Sequence, residues 1–305
     1  MAGLFNSYYY GKAGKADFTV ENLPKNRREL FFQTLRVRFS GIISVNLLFL
    51  VFCLPAIVWT GFNLLAILAA SGLMAETAEG AEAALDASAL QNTAGMLTTY
   101  LLGMVPCLGI AGIGSTGEMY VLRNWARDDH SFMFSDFKDA VKGNWKYGLL
   151  TGFITGLMPL LMYVCVTFYG EMAGTNLLFM IPQVICIVVG SMWLCSLMYI
   201  YPQIVTYKLN YRNVVRNSLI MTIGRLPMTV GLKLLSLLPW AIAALISLFT
   251  PYMQYAMLGL AAYYIVIGFS LSRFVGASYA NAVFDRYINP NIEGVQVGRG
   301  LYNAE

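Results

Sequence analysis

The chain has 305 residues, of which 58% are hydrophobic and 12% charged, about half the charged share usual in soluble domains. So much apolar surface excludes a soluble fold of this size. A net charge of +4 with no basic, aromatic-laced stripe in a soluble module also excludes nucleic-acid binding.

Residues 1–29 read as an N-terminal tail on the cytoplasmic side, rich in Gly, Lys and Tyr near its start. Polar and mixed in charge, this end does not read as a signal peptide. Over 30–39, Leu30, Phe31, Leu35 and Val37 alternate with Gln33, Arg36 and Arg38, which predicts an amphipathic helix lying at the inner surface. The first apolar run, 41–74, would reach about 50 Å as one helix. That exceeds a hydrocarbon core of about 30 Å. Pro55 therefore marks an expected kink, beyond which the segment either continues tilted or forms a short helix on the outer face.

An Ala- and Glu-rich insert follows over about 75–93, with good helix formers at Ala81–Leu85. The second span, from about 96 to 125, carries Pro106 and the glycines Gly109, Gly112, Gly114 and Gly117, a spacing that lets helices approach closely in lipid. Further apolar runs at 149–169, 177–201, 228–249 and 254–272 complete six spans. Because lipid offers the backbone no partners and the runs lack period-2 alternation, they are expected to be helices. The expected fold is an all-α integral membrane protein, a single six-helix domain over 30–285 with kinks at Pro55, Pro159 and Pro239, followed by a cytoplasmic tail over 286–305. The segment from Phe137 to Asn144 matches that from Tyr211 to Ser218 in character. Each precedes a span with a mid-helix proline, so the chain reads as three repeated helical hairpins, each opened by an inner-surface amphipathic helix.

Orientation follows from the Lys and Arg residues, which are retained on the cytoplasmic side. They occupy the N-terminal segment, the stretch from Arg123 to Lys146, the stretch from Lys208 to Lys233, and the C-terminal side from Arg273. The alternate loops hold only Glu76, Glu79, Glu82, Asp86 and Glu171. Both termini are therefore expected in the cytoplasm.

Little in the chain looks like chemistry. His130 is the only histidine, and no Walker-type phosphate loop occurs. Cys53, Cys107, Cys165, Cys186 and Cys195 fall within apolar runs, where thiols act as small hydrophobes. The expectation is no catalytic residue, no cofactor and no metal. Arg127, Asp128, Asp129 and His130 stand before a helix start, where acidic residues serve as caps or a solvated loop. More informative are ionisable residues inside spans, because charge there is costly. Glu118 and Lys233 each lie about six residues, roughly 9 Å, from the inner ends of their spans. With Asn46 at a comparable level and Arg273 near the end of the last span, they form a possible intramembrane polar cluster. Glu118 is expected to pair with Lys233 or with Arg273.

At 46–55, NLLFLVFCLP, and at 112–136, GIGSTGEMYVLRNWARDDHSFMFSD, the chain resembles the YesL-like family of uncharacterised bacterial membrane proteins. The matching positions are Asn46, Leu54, Pro55, Gly114, Tyr120, Arg127, Asp136, Phe137 and Asn144, with a looser likeness over 30–285. The chain departs from the family pattern in the long segment 56–105, which stands between the Leu-Pro pair and the second span. The resemblance implies a multi-pass protein of the cell membrane, of a kind often encoded beside ATP-binding-cassette carbohydrate importers. The reading is an accessory or regulatory membrane protein without catalysis of its own. Its partners would be the lipid bilayer and, through cytoplasmic helices, carbohydrate importer subunits. The rival is a small secondary transporter or channel with a polar site around Glu118, Lys233 and Asn46. An intramembrane enzyme ranks third, for want of a base and a nucleophile.

Overall fold

The computed structural model describes residues 24–70 and 87–302. Most of the expected N-terminal tail and of the insert, including its helix at Ala81–Leu85, lies outside the described residues. A short helix, α1 (Arg27–Val37), begins at Asn26, whose side-chain oxygen accepts the N–H groups of Arg28 and Glu29. Such a cap satisfies donors that the first turn leaves free. Leu30 and Thr34 are buried, and Phe31 stacks on Phe274 with centroids 5.2 Å apart. Val37, expected on the apolar face, is exposed, because it stands at the turn where α1 ends at Arg38.

Three long helices follow: α2 (Phe39–Ala70), α3 (Ala87–Trp125) and α4 (Met133–Ala173). A 3₁₀ turn, Leu177–Phe179, leads into α5 (Met180–Thr206). On α2, Ile42, Val45, Asn46, Phe49 and Cys53 are buried, while Leu47, Val51, Leu54 and Val58 are exposed. Both faces keep helical spacing, yet the exposed one is apolar rather than polar. A surface of that kind belongs against lipid. Among the described residues five helical segments are long and apolar enough to cross a membrane: Phe39–Ile67, Ala94–Trp125, Met133–Ala173, Leu177–Thr206 and Met253–Tyr287. The chain is an all-helical, multi-pass membrane protein.

The expected fifth span is not one helix. α6 (Tyr211–Gly224) meets α7 (Leu226–Ser236) at a bend of 95°, and α8 (Leu238–Phe249) follows after a break at Leu237. That break lies two residues before Pro239, whose ring crowds the preceding turn and which has no N–H to donate. Pro55, Pro106 and Pro159 leave their helices unbroken, so α2 runs on past Pro55 without a separate outer helix. The last span is α9 (Met253–Tyr263), a π-helical turn (Tyr264–Gly268) and α10 (Phe269–Tyr287).

α3 sits centrally, against α2, α4, α5 and α10, and its contact with α4 is the most extensive in the molecule. Glycines explain why. A Cβ on Gly112 would lie 2.3 Å from the Gly148 carbonyl oxygen, and one on Gly152 would lie 2.2 Å from that of Leu108. A Cβ on Gly156 would meet the Cα of Val105 at 2.8 Å. The two backbones therefore touch along facing rows of glycine, the close approach expected of small residues in lipid. The row on α3 is the one legible in the sequence; its mate, Gly148, Gly152 and Gly156 at four-residue spacing on α4, completes it.

Candidate functional site

Glu118 on α3 has no exposed surface. Ser270 Oγ donates to its Oε1 at 2.6 Å, and Arg273 on α10 donates to and ion-pairs with its Oε2. The Arg273 guanidinium also lies over the Phe49 ring of α2, 4.1 Å from its centroid. One carboxylate thus ties together α3, α10 and, through the arginine, α2. Of the two cations that sequence proposed for Glu118, the structure pairs it with Arg273.

Asn46 does a different task close by. Its Nδ2 donates to the carbonyls of Tyr264 and Ile265 at 3.0 and 2.8 Å, and its Oδ1 accepts the Ser270 N–H at 3.0 Å. The two carbonyls belong to the π turn, where the ordinary helical pairing is interrupted, and the Ser270 N–H follows it at the start of α10. Asn46 replaces what the turn loses, and buried backbone groups require such a partner. Ser270, which touches both Asn46 and Glu118, escaped the sequence reading. Its only signal was its place three residues before Arg273, on the same helical face.

Lys233 stands apart from the ion pair. It is half-buried on α7, and among the described residues it has no ion-pair partner. It lines a cavity of about 210 Å³ together with Ser236, Ser272 and Arg273, against apolar walls that include Met119 and Met198. Among the described residues no group of His, Cys, Asp or Glu is arranged to hold a metal ion.

The basic connections gather at one end of the bundle. Arg27 ion-pairs with Asp285, which also accepts from the side chain of Asn289 and from the Gly298 N–H. Arg127, 6% exposed, donates to the Gln296 carbonyl at 2.9 Å, and Arg299 ion-pairs with Asp129. The Tyr302 N–H reaches the Pro24 carbonyl at 2.9 Å. Asp128 takes a left-handed conformation (φ 57°) in the turn after α3, which a short polar side chain tolerates. Asp136 accepts from Ser131 Oγ and from the Phe132 N–H at the start of α4. The run expected to be caps or a solvated loop therefore makes a turn, with Asp128 and His130 exposed and Arg127 buried, and the carboxylate at the start of α4 is Asp136 instead. The Tyr207 hydroxyl donates to Asn289 at 2.6 Å; burial lifts this phenol to about 12, with Arg123 and Arg127 acting against the rise. It stays a neutral donor.

Residues 42–165 match the profile of a family described as "Protein of unknown function, DUF624". Over that stretch the chain is similar to DUF624, the YesL-like membrane proteins. No curated protein and no solved structure matches the chain. The DUF624 stretch holds α2, α3 and most of α4, and so includes Asn46, Glu118 and both glycine rows. Ser270, Arg273 and Lys233 lie beyond it. The family segment therefore supplies the carboxylate and the amide, and the later helices supply what they bind.

Proposed function

We propose that this DUF624-like protein is a non-enzymatic accessory or regulatory membrane protein that contacts an ATP-binding-cassette carbohydrate importer through basic helices at the cytoplasmic face. The importer side of the reading comes from the family resemblance. The observation that carries the accessory side is that Glu118 and Asn46 are fully buried and engaged in joining helices. Two exposed basic faces remain available to a partner: Lys138, Lys142 and Lys146 at four-residue spacing on α4, and Arg212 with Arg216 on α6. The reading sets both termini and these faces in the cytoplasm of a bacterial cell, by the retention of positive charge on that side. It also takes the chain as three hairpins with proline-kinked first members. In support, Ala140 and Val214, equivalent in the repeat, are both buried on amphipathic segments.

Affinity purification of the full-length protein from native membranes in mild detergent tests it. Importer subunits should co-purify, and Lys138→Glu combined with Lys142→Glu and Lys146→Glu should release them without changing thermal stability. Wild-type protein that brings down no importer subunit ends this reading. A second reading, a small transporter or channel around Glu118, Lys233 and Asn46, is favoured by one feature, the cavity that Lys233 lines.

A further inference from the structure

We infer that the cavity between α3, α5, α7 and α10 binds a single phosphate group, held between Lys233 and Arg273. Charge is the first ground. Glu118 offsets Arg273, whereas Lys233 has no carboxylate within ion-pair distance among the described residues, so the cavity keeps one positive charge unmatched. An uncompensated lysine in a membrane-embedded helix is costly, and ionisable residues there pair with one another or face a polar cavity that marks a substrate or ion site.

The donors then narrow the ligand. Lys233 and Ser236 come from α7, and Ser272 and Arg273 from α10, one pair on each side of the cavity. Ser236 already donates to the Leu232 carbonyl at 2.9 Å, which leaves Ser272 as the hydroxyl free to turn. An ammonium, a guanidinium and a hydroxyl suit the several acceptor oxygens of a phosphate, which both Lys and Arg recognise. Size sets the limit. At about 210 Å³ the cavity lies below the roughly 300–1,000 Å³ of pockets for drug-sized ligands, so a phosphate group fits and an oligosaccharide does not. The source is either the headgroup of an anionic phospholipid or a soluble phosphate. Apolar walls of Leu197, Met198 and Val275 accept the first stem of a lipid as readily as they seal off a small anion. The inference does not depend on contact with an importer.

Thermal unfolding of the purified full-length protein in uncharged detergent tests it, with two additions made separately at constant ionic strength. One is inorganic phosphate exchanged for chloride; the other is phosphatidylglycerol, with phosphatidylcholine of the same chains as reference. At least one phosphate source should raise the transition saturably in the wild type and in Lys233→Arg. Lys233→Met should weaken that binding about tenfold or more. A shift from phosphatidylglycerol alone identifies a lipid headgroup, and a shift from inorganic phosphate identifies a soluble anion. Should Lys233→Met not fold, Ser272→Ala replaces it and should weaken binding severalfold. No saturable shift from either source overturns the inference, as does equal affinity in the variant and the wild type.

Discussion

At Glu118, a carboxylate without exposed surface receives a hydroxyl from one turn of α10 and a guanidinium from the next. Removing one partner of such a pair leaves the other charge buried and uncompensated, at a cost of about 3–5 kcal/mol. Glu118→Gln should therefore lower the unfolding temperature in detergent clearly, whereas Glu171→Gln, at an exposed position, should leave it unmoved. Adding Arg273→Met to Glu118→Gln should return some of the loss, with a coupling of about 1–3 kcal/mol in a double-mutant cycle. Lys233→Met should add to Glu118→Gln without coupling, because Lys233 makes no ion pair with it. The reverse pattern, coupling to Lys233 and additivity with Arg273, would place the carboxylate on the wrong helix partner.

Among the helices, the α3–α4 contact is the most sensitive to side-chain volume. Gly152 has the Leu108 carbonyl where a Cβ would stand, so any side chain there must push the two helix backbones apart rather than move a flexible neighbour. Gly152→Leu should abolish monodisperse protein in size-exclusion chromatography, and Gly112→Leu should do the same. Gly143, on the same helix α4, has nothing within 4 Å of an added Cβ. There, Gly143→Ala should hold or raise the unfolding temperature, since alanine is favoured over glycine in a helix by about 1 kcal/mol. If both glycines tolerated leucine, the close approach would not hold in the membrane. The bend of 95° between α6 and α7 is an element-scale feature of another kind. It turns the buried side of α6, Val214, Ser218 and Thr222, onto the bundle while α7 leaves in a new direction. Gln203 on α5 donates to Ser218 at 2.8 Å, and Tyr199 is 2.8 Å from Thr229, so both sides of the bend are fastened to the same helix.

For the molecule as a whole, α1, the α3–α4 turn, the α5–α6 connection and the chain after α10 meet at one end through Arg27–Asp285, Arg299–Asp129 and Tyr207–Asn289. In the proposed orientation, which follows from the alternation of Lys and Arg, that end faces the cytoplasm. In a variant lacking its own five cysteines, Cys introduced at Ala78 or Ala84 should react with an impermeant thiol reagent added to intact cells. Cys at Ser135 or Asn213, both exposed at the basic end, should react only after the membrane is opened. Labelling of position 135 in intact cells would reverse the orientation.

What the sequence determined by itself is what composition and period can carry. Long apolar runs in lipid must become helices, so the class of fold and most of the spans were legible, and the glycines of α3 announced a close helix contact. Glu118, Lys233, Arg273 and Asn46 could also be picked out, since each is polar where polarity is costly. The tertiary structure alone decided who meets whom. Counting residues put Glu118 and Lys233 at equal depth, but depth along a helix does not fix its neighbour or the face it presents. Arg273 won the carboxylate because α10 packs on α3 with Ser270 and Arg273 facing Glu118. Asn46 took on backbone because a π turn opened opposite it, and hydropathy shows no trace of such a turn. Likewise the run at 228–249 is as apolar as its neighbours, and only the packed chain shows it broken at Leu237. A break lies just before Pro239 and none lies at Pro55 or Pro159, although all three stand alike in apolar runs, so the residue type by itself did not decide where a helix would end.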